Sequence, residues 1–201
     1  MTTVAEIITS ARWDLRDEDE TQYSDAMLLD FLNRGLRALI TTLSSLRSDW
    51  LNDDDNIILA SSATSTALPD YFISDITVTI GTTKLTKKSI SQIREEQLFS
   101  STGEPSHYAI SGLNLHVERA ADQEYTIILE YNKGLADLVS GDMPYNNEFN
   151  DVLRQSIILI AKSRNEYSLI GDAALQDFFI SAVMAKLVAR NFIPNTHRTS
   201  F

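Results

Sequence analysis

The period of the hydrophobic residues changes twice along this chain, from helical to strand-like and back, so neither an all-helical nor an all-β fold accommodates it. Near the start Val4, Ile7, Ile8, Ala11 and Leu15 recur at helical spacing. Thr3-x-x-Glu6 ahead of them has capping-box spacing, in which each side chain satisfies a free backbone N–H at the helix start. The run Asp17 to Glu20 ends this helix in a polar, self-repelling loop. Ser24 is placed as the N-cap of a second helix, with Tyr23 and Leu28 as its hydrophobic staple. The stripe Leu28, Leu29, Leu32, Leu36, Leu39, Ile40, Leu43 and Leu46 carries that helix toward Asp49. Gly35 interrupts it at a cost of about 1 kcal/mol relative to alanine, which close approach of another helix would offset.

Beyond the polar run Asn52 to Asn56 the spacing shortens. Ile57-Ile58-Leu59 is a short apolar run, Ser61 to Thr66 a turn, and Leu68-Pro69-Asp70 closes a short strand. Ile76 to Ile80 alternates with period two, and Gly81-Thr82-Thr83 has the composition of a hairpin turn leading to a partner strand over Lys84 to Ile90. A turn or two of helix is expected over Ser91 to Leu98. Strands are expected at His107 to Ile110, Leu113 to Val117 and Tyr125 to Tyr131, the first two joined at Ser111-Gly112.

Helical spacing returns after Pro144. Phe149, Val152, Leu153, Ser156, Ile157, Ile160 and Ala161 form one face, capped by Asn146 or Asn147. Ile158 and Leu159 fall outside it and predict burial on a second side. Gly171-Asp172 breaks this helix and caps a last one, whose face is Leu175, Phe178, Phe179, Ala182, Val183 and Leu187. Pro194 stops it. The fold class is therefore α+β: a helical bundle from residues 1–55 and 144–191, an inserted antiparallel β-sandwich or barrel-like segment at 56–143, and an extended C-terminal arm at 192–201.

Charge and composition exclude several functions. The absence of cysteine removes disulfide frameworks, thiol nucleophiles and Cys-based zinc sites. A net charge of −11 argues against tight duplex binding, which rests on basic side chains neutralising phosphates. The acid is unevenly spread: no acidic residue follows Asp177, while Lys186, Arg190 and Arg198 do, so this end suits an acidic partner surface. No basic, apolar leader opens the chain, and the densest apolar run, Ile157 to Ala161, is too short to span a bilayer. The chain reads as soluble and intracellular when made, with no membrane partner.

No catalytic constellation is recognisable. His107, His116 and His197 do not form an H-E-x-x-H motif, and no G-x-S-x-G turn is present. Gly81-Thr82-Thr83-Lys84 lacks the second glycine and the Lys-Ser/Thr pair of a phosphate loop. Counting from Asp17 as a calcium loop puts Gln22 where glycine is needed and Leu28 where glutamate is needed, and from Asp53 puts Ile57 at a ligand position. These acidic clusters read as solvated loops, and Glu95-Glu96 are sequence neighbours that need not face one another. No cofactor or metal is implied. An alternative reading takes Tyr108, Tyr125 and Tyr131 as a stacking platform of an OB-like, single-stranded nucleic-acid-binding or regulatory domain, although no basic residues interleave them.

The ordered set of local patterns resembles the head-to-tail adaptor (portal adaptor, head completion) proteins of tailed bacteriophages. The resemblance runs from Val4-Ala5-Glu6-Ile7-Ile8 through Arg12, Leu15, Tyr23-Ser24-Asp25, Leu28-Leu29 and Leu32-Asn33-Arg34-Gly35-Leu36. It continues through Leu68-Pro69-Asp70-Tyr71-Phe72 to the most specific piece, Gly103-Glu104-Pro105-Ser106-His107-Tyr108, followed by two strands ending at Tyr131. The paired helices of 145–190 complete it. Where the family often carries proline before its last strand, this chain has Ala120-Ala121-Asp122.

The resemblance implies a structural subunit of a homo-oligomeric ring in the virion neck, dodecameric to match the portal and assembled in the host cytoplasm. Such a ring binds the portal protein, offers an attachment site to a tail nozzle or tail-tube protein, and lets genomic DNA through its channel without sequence-specific binding. Family members dock on the portal largely through an extended C-terminal segment. Here that segment supplies Phe192, Ile193, Pro194, Asn195, His197, Arg198 and Phe201. Its aromatic and aliphatic side chains can offset the roughly 1–2 kcal/mol per residue lost on ordering the backbone.

Overall fold

A computed structural model of the chain describes residues 2–46, 49–164 and 170–191. The chain is α+β, with five α-helices and two four-stranded sheets among the described residues. It divides into two compact units at residues 47/48 and 135/136.

The first unit is helical. Helix α1 (Val4–Leu15) begins with the expected capping box: Thr3 Oγ1 accepts from the Glu6 amide and Glu6 Oε2 accepts from the Thr3 amide. Helix α2 (Asp25–Ser45) is capped by Ser24, whose hydroxyl accepts from the Met27 amide. Two further helices, α4 (Asn150–Arg164) and α5 (Ile170–Asn191), belong to the same unit. Their apolar faces meet in one core that includes Ile7, Ala11, Leu32, Leu36, Leu39, Phe149, Leu153, Ile157 and Phe179. Each large aliphatic side chain buried there contributes roughly 1.5–3 kcal/mol.

Gly35 admits a close helix approach in this unit. A Cβ built on it would lie 2.1 Å from Ser156 Oγ and 3.1 Å from Ser156 Cβ. Ser156 on α4 is fully buried and returns its hydroxyl proton to the Leu153 carbonyl at 2.7 Å. The helix cost of glycine is thus offset by contact between α2 and α4.

Three expectations for this unit change. Helix α4 starts at Asn150, after a 3-10 turn at Tyr145–Asn147, and not at an Asn146 or Asn147 cap. Asn147 instead accepts from the Thr2 amide and from Asn150 Nδ2, tying the helix start to the N-terminus. Leu159 is exposed and Ile158 half-buried, so these two side chains do not pack into a second core on α4. Gly171 and Asp172 lie in the first turn of α5 instead of before it.

The second unit holds the strands. One sheet has the order β1 (Asn52–Leu59), β8 (Tyr125–Lys133), β3 (Phe72–Ile80), β4 (Thr83–Lys84). The other has the order β2 (Ser65–Ala67), β7 (Asn114–Val117), β6 (His107–Ser111), β5 (Thr86–Lys87). Inward residues of both sheets, among them Leu59, Val78, Leu115, Val117, Ile127 and Leu129, form one core cluster. The predicted hairpin at Gly81 is present, with Ile80 opposite Thr83 and glycine at φ +55°, where a side chain would be strained.

The expected single partner strand over Lys84 to Ile90 is instead two short ones in different sheets. The chain leaves β4, buries Leu85 and enters β5, which pairs parallel with β6. The sheets are therefore not wholly antiparallel. Helix α3 (Ile90–Gln97) follows, opened by a second capping box between Ser89 and Gln92, and buries Ile93. The run Asn52 to Asp55 is strand and not loop, because tertiary partners override its low β-propensity: Lys133 donates to Asp53 at 2.7 Å and the Tyr131 hydroxyl to Asp55 at 2.9 Å.

Candidate functional site

The residues predicted to dock a partner, Phe192, Ile193, Pro194, Asn195, His197, Arg198 and Phe201, lie outside the described residues. What the structure places is the frame around the motifs, and there the side chains act mainly as clasps.

The first clasp closes the turn between α1 and α2. Arg12 is 6% exposed and donates to the Tyr23 carbonyl at 2.7 Å, to Asp25 Oδ1 at 2.8 Å and to Asp17 Oδ2 at 3.3 Å. Asp17 is buried and accepts from the Gln22 and Tyr23 amides and the Thr21 hydroxyl. Arg16 and Glu20, both at positive φ, turn the chain around it. The acidic run is thus only partly the solvated loop expected: Glu18 to Glu20 are exposed, whereas Asp17 organises the turn.

A second clasp holds residues 136–149 against the helices. Asn33 on α2 donates to the Leu138 carbonyl at 2.9 Å and accepts from the Leu138 amide at 2.7 Å, a two-way bond like that between paired strands. Arg37, one helical turn on, pairs with Asp137 at 2.6 Å. At the other end of this segment the Val4 amide donates to Gly141 and the Met143 amide to Thr2. The pattern Leu32-Asn33-Arg34-Gly35-Leu36 is therefore a structural unit: Leu32 and Leu36 fill the core, Asn33 holds the strap and Gly35 admits α4.

The third clasp is built from Gly103 to Tyr108. Glu118, 2% exposed at its side chain, accepts from the Ser106 amide and hydroxyl at 2.9 Å, the His107 amide at 3.0 Å and Arg119 Nε at 3.1 Å. The Gly103 amide donates to Ala120, Pro105 is buried, and the Tyr108 hydroxyl donates to Asp75 on β3 at 2.5 Å. Lys87 on β5 reaches the same carboxylate at 2.5 Å, so Asp75 ties one sheet to the other.

Ser106, His107 and Glu118 are the three residue types of a nucleophilic triad, a proximity that the sequence reading did not find. Their geometry is not that of a relay. Ser106 Oγ lies 3.0 Å from His107 Nδ1 but also donates directly to Glu118, and the carboxylate sits 3.7 Å from that same imidazole nitrogen. A triad needs the carboxylate on the far nitrogen, where it orients the ring as base. His116 lies on β7 opposite Ala109, and the third histidine is outside the described residues. Among the described residues no group of three His, Asp or Glu side chains is placed to hold a metal ion. An open hollow of about 560 Å³ on the first sheet is lined by Asn52, Asp53, Asp54, Ile76, Ile128 and Glu130, without a histidine or a hydroxyl nucleophile.

Tyr108, Tyr125 and Tyr131, the aromatic platform of the alternative reading, are all buried. Their hydroxyls donate to Asp75, Asp122 and Asp55. Burial, with the Asp55 carboxylate beside it, pushes the Tyr131 phenol up to about 12. Rings held this way do not stack on bases.

The clasps make an acid-sensitivity prediction. Burial alone would raise Asp75 and Glu118, but it is outweighed by Lys87 and Tyr108 at Asp75 and by the Ser106 and His107 amides at Glu118, so both carboxyls sit below their ordinary values. A depressed folded pKa stabilises above the unfolded value of about 4 and is lost as pH falls through the folded one. Thermal melts should show a stability plateau above about pH 5 that declines below about pH 4, with a shallower decline in Asp75→Asn. An identical acid slope in that variant would remove Asp75 from the account.

These features define a two-unit α+β scaffold whose recognisable motifs serve packing and loop anchoring. The chain belongs to the SU10 adaptor protein family, which matches it over residues 2–187. This is a family of phage adaptors, and membership points to a structural role as a virion component that contacts other phage head or tail proteins. A comparison with curated proteins finds no match. No helix among the described residues is long and apolar enough to cross a membrane.

Proposed function

We propose that the chain is the repeating subunit of a head-to-tail adaptor ring, dodecameric, seated in the virion neck between portal and tail. The observation that carries this reading is the family match over nearly the whole chain, both units included. In this reading the helices form a bundle that packs the ring around a DNA channel. The two sheets act as a barrel-like sandwich, residues 56–143 in the sequence division, facing the tail nozzle or tail tube. Residues 192–201 are the portal-docking arm, with Phe192, Ile193 and Phe201 filling pockets, Pro194, Asn195 and His197 shaping the extended backbone, and Arg198 supplying a charge-assisted contact. Repetition around a ring turns a weak single contact into firm attachment. Acidic surfaces along the channel would repel DNA phosphates and favour sliding over sticking.

Removing residues 192–201 tests the arm. The truncated chain is expected to keep its circular dichroism spectrum and thermal transition while losing co-sedimentation with the portal protein. Portal binding undiminished by the truncation would refute the docking assignment.

A further inference from the structure

We propose that neighbouring copies associate head to tail through the helical unit, the outer face of α5 in one copy packing on the outer face of α1 in the next. This rests on the ring reading and names the surfaces that would close it.

The packing inside the unit sets the geometry. Helices α2 and α4 approach closely at Gly35 and Ser156, and both α1 and α5 pack on that pair, while α1 and α5 make no comparable contact with each other. With α2 and α4 as the short diagonal, α1 and α5 occupy the far corners. Each of these corner helices exposes apolar side chains among the described residues, a ridge on α5 and a single tryptophan on α1. On α5, Ile180, Met184 and Val188 recur every four residues and are 38%, 45% and 64% exposed. Ser181, Ala185 and Ala189 beside them are exposed and small, which lets a partner come close. On α1, Trp13 is 68% exposed, with exposed Thr9 and Glu6 along the same helix.

Charge selects the pairing. The α1 corner leads into the exposed acidic residues Glu18, Asp19 and Glu20. On the α5 side no acidic residue follows Asp177, no charge interrupts Phe178 to Ala185, and Lys186 is half-buried with its ammonium 5.5 Å from the Phe149 ring centroid. An α5–α5 contact would leave Trp13 uncovered, and an α1–α1 contact would set acidic loops against one another. The mixed contact covers Trp13 and the α5 ridge together, and it sets the acid-free half of α5, which carries Lys186 and Arg190, toward the acidic loop. Because the two faces differ, the contact is heterologous, and repeating it generates a ring or an open helix instead of stopping at a dimer. A tryptophan seated among aliphatic and small residues is the kind of anchor that dominates an interface.

The chain has no cysteine, so single cysteines report the contact cleanly. Thr9→Cys and Ser181→Cys, both at exposed positions, are prepared separately in the full chain and treated with a short bismaleimide alone and as a mixture, with and without portal protein. The mixture is expected to give a crosslinked dimer, and a chain carrying both Thr9→Cys and Ser181→Cys an extended ladder when portal protein is present, while each single variant alone gives little. Adding Met184→Lys to the Ser181→Cys chain should lower mixed crosslinking about tenfold with the melt unchanged. Efficient self-crosslinking of Ser181→Cys would mean an isologous α5 contact and overturn the proposal. So would mixed crosslinks insensitive to Met184→Lys, or no mixed crosslink on assembled portal complexes. Portal binding measured in the same samples separates this failure from failure of the adaptor reading.

Discussion

Replacing Gly35 by alanine is expected to destabilise the helical unit by about 1–3 kcal/mol, although alanine is the better helix former by about 1 kcal/mol. The new methyl would overlap Ser156 Oγ, whose position is fixed by burial and by its bond to Leu153. Separation of α2 from α4 is the remaining relief, and it loosens the core on both sides. Exchanging the space is the decisive control. Ser156→Gly removes both atoms nearest the new methyl, so the Gly35→Ala, Ser156→Gly pair should be more stable than the sum of its single changes by about 1–3 kcal/mol. Additive urea-denaturation energies would show that the two positions do not contact as described.

The second large effect lies in the strand unit. Glu118→Ala is expected to cost about 3 kcal/mol, since it strands the Ser106 and His107 amides and the Ser106 hydroxyl, each a loss of about 1–3 kcal/mol when buried. Glu118→Gln keeps one acceptor oxygen and should recover part of that loss. The damage should be local first: hydrogen exchange is expected to accelerate at Ser106 to Tyr108 and at the β5–β6 pairing, where Ser106 accepts from the Thr86 amide and Tyr108 from the Lys88 amide. A melt indistinguishable from the parent chain would show that the carboxylate is not the anchor of this loop.

What could be read in advance was local. Thr3-x-x-Glu6 and the Ser24 cap depend on residues three apart and formed as expected. The same S-x-x-Q spacing at Ser89 carries an equal signal for α3, yet the expectation over Ser91 to Leu98 starts one residue after the observed helix. Gly35 was legible as a close approach because an interior glycine needs a compensating contact, but its partner, Ser156, lies 121 positions away and carries no mark.

Misreadings share a cause in long-range pairing. Nothing local distinguishes Asp17 from Glu18, Asp19 and Glu20; only the amides of Gln22 and Tyr23 and the guanidinium of Arg12 do. Asn52 to Asp55 has poor strand propensity and becomes β1 through pairing with β8. A single apolar residue, Leu85, between polar neighbours reads as one inward position of a continuous strand and conceals the change of sheet there. The triad-like grouping of Ser106, His107 and Glu118 likewise appears only when β6 and β7 pair, and its bond directions then identify it as an anchor. The tyrosines looked available for stacking because sequence does not say which face of a strand is covered.

Electron microscopy of the full chain mixed with the portal protein of its phage tests the central claim most directly. The adaptor account predicts an added layer of density on the portal, one copy of this chain for each portal subunit, continuous around the portal axis and open along it. Portal particles unchanged by saturating amounts of a folded chain would contradict that account.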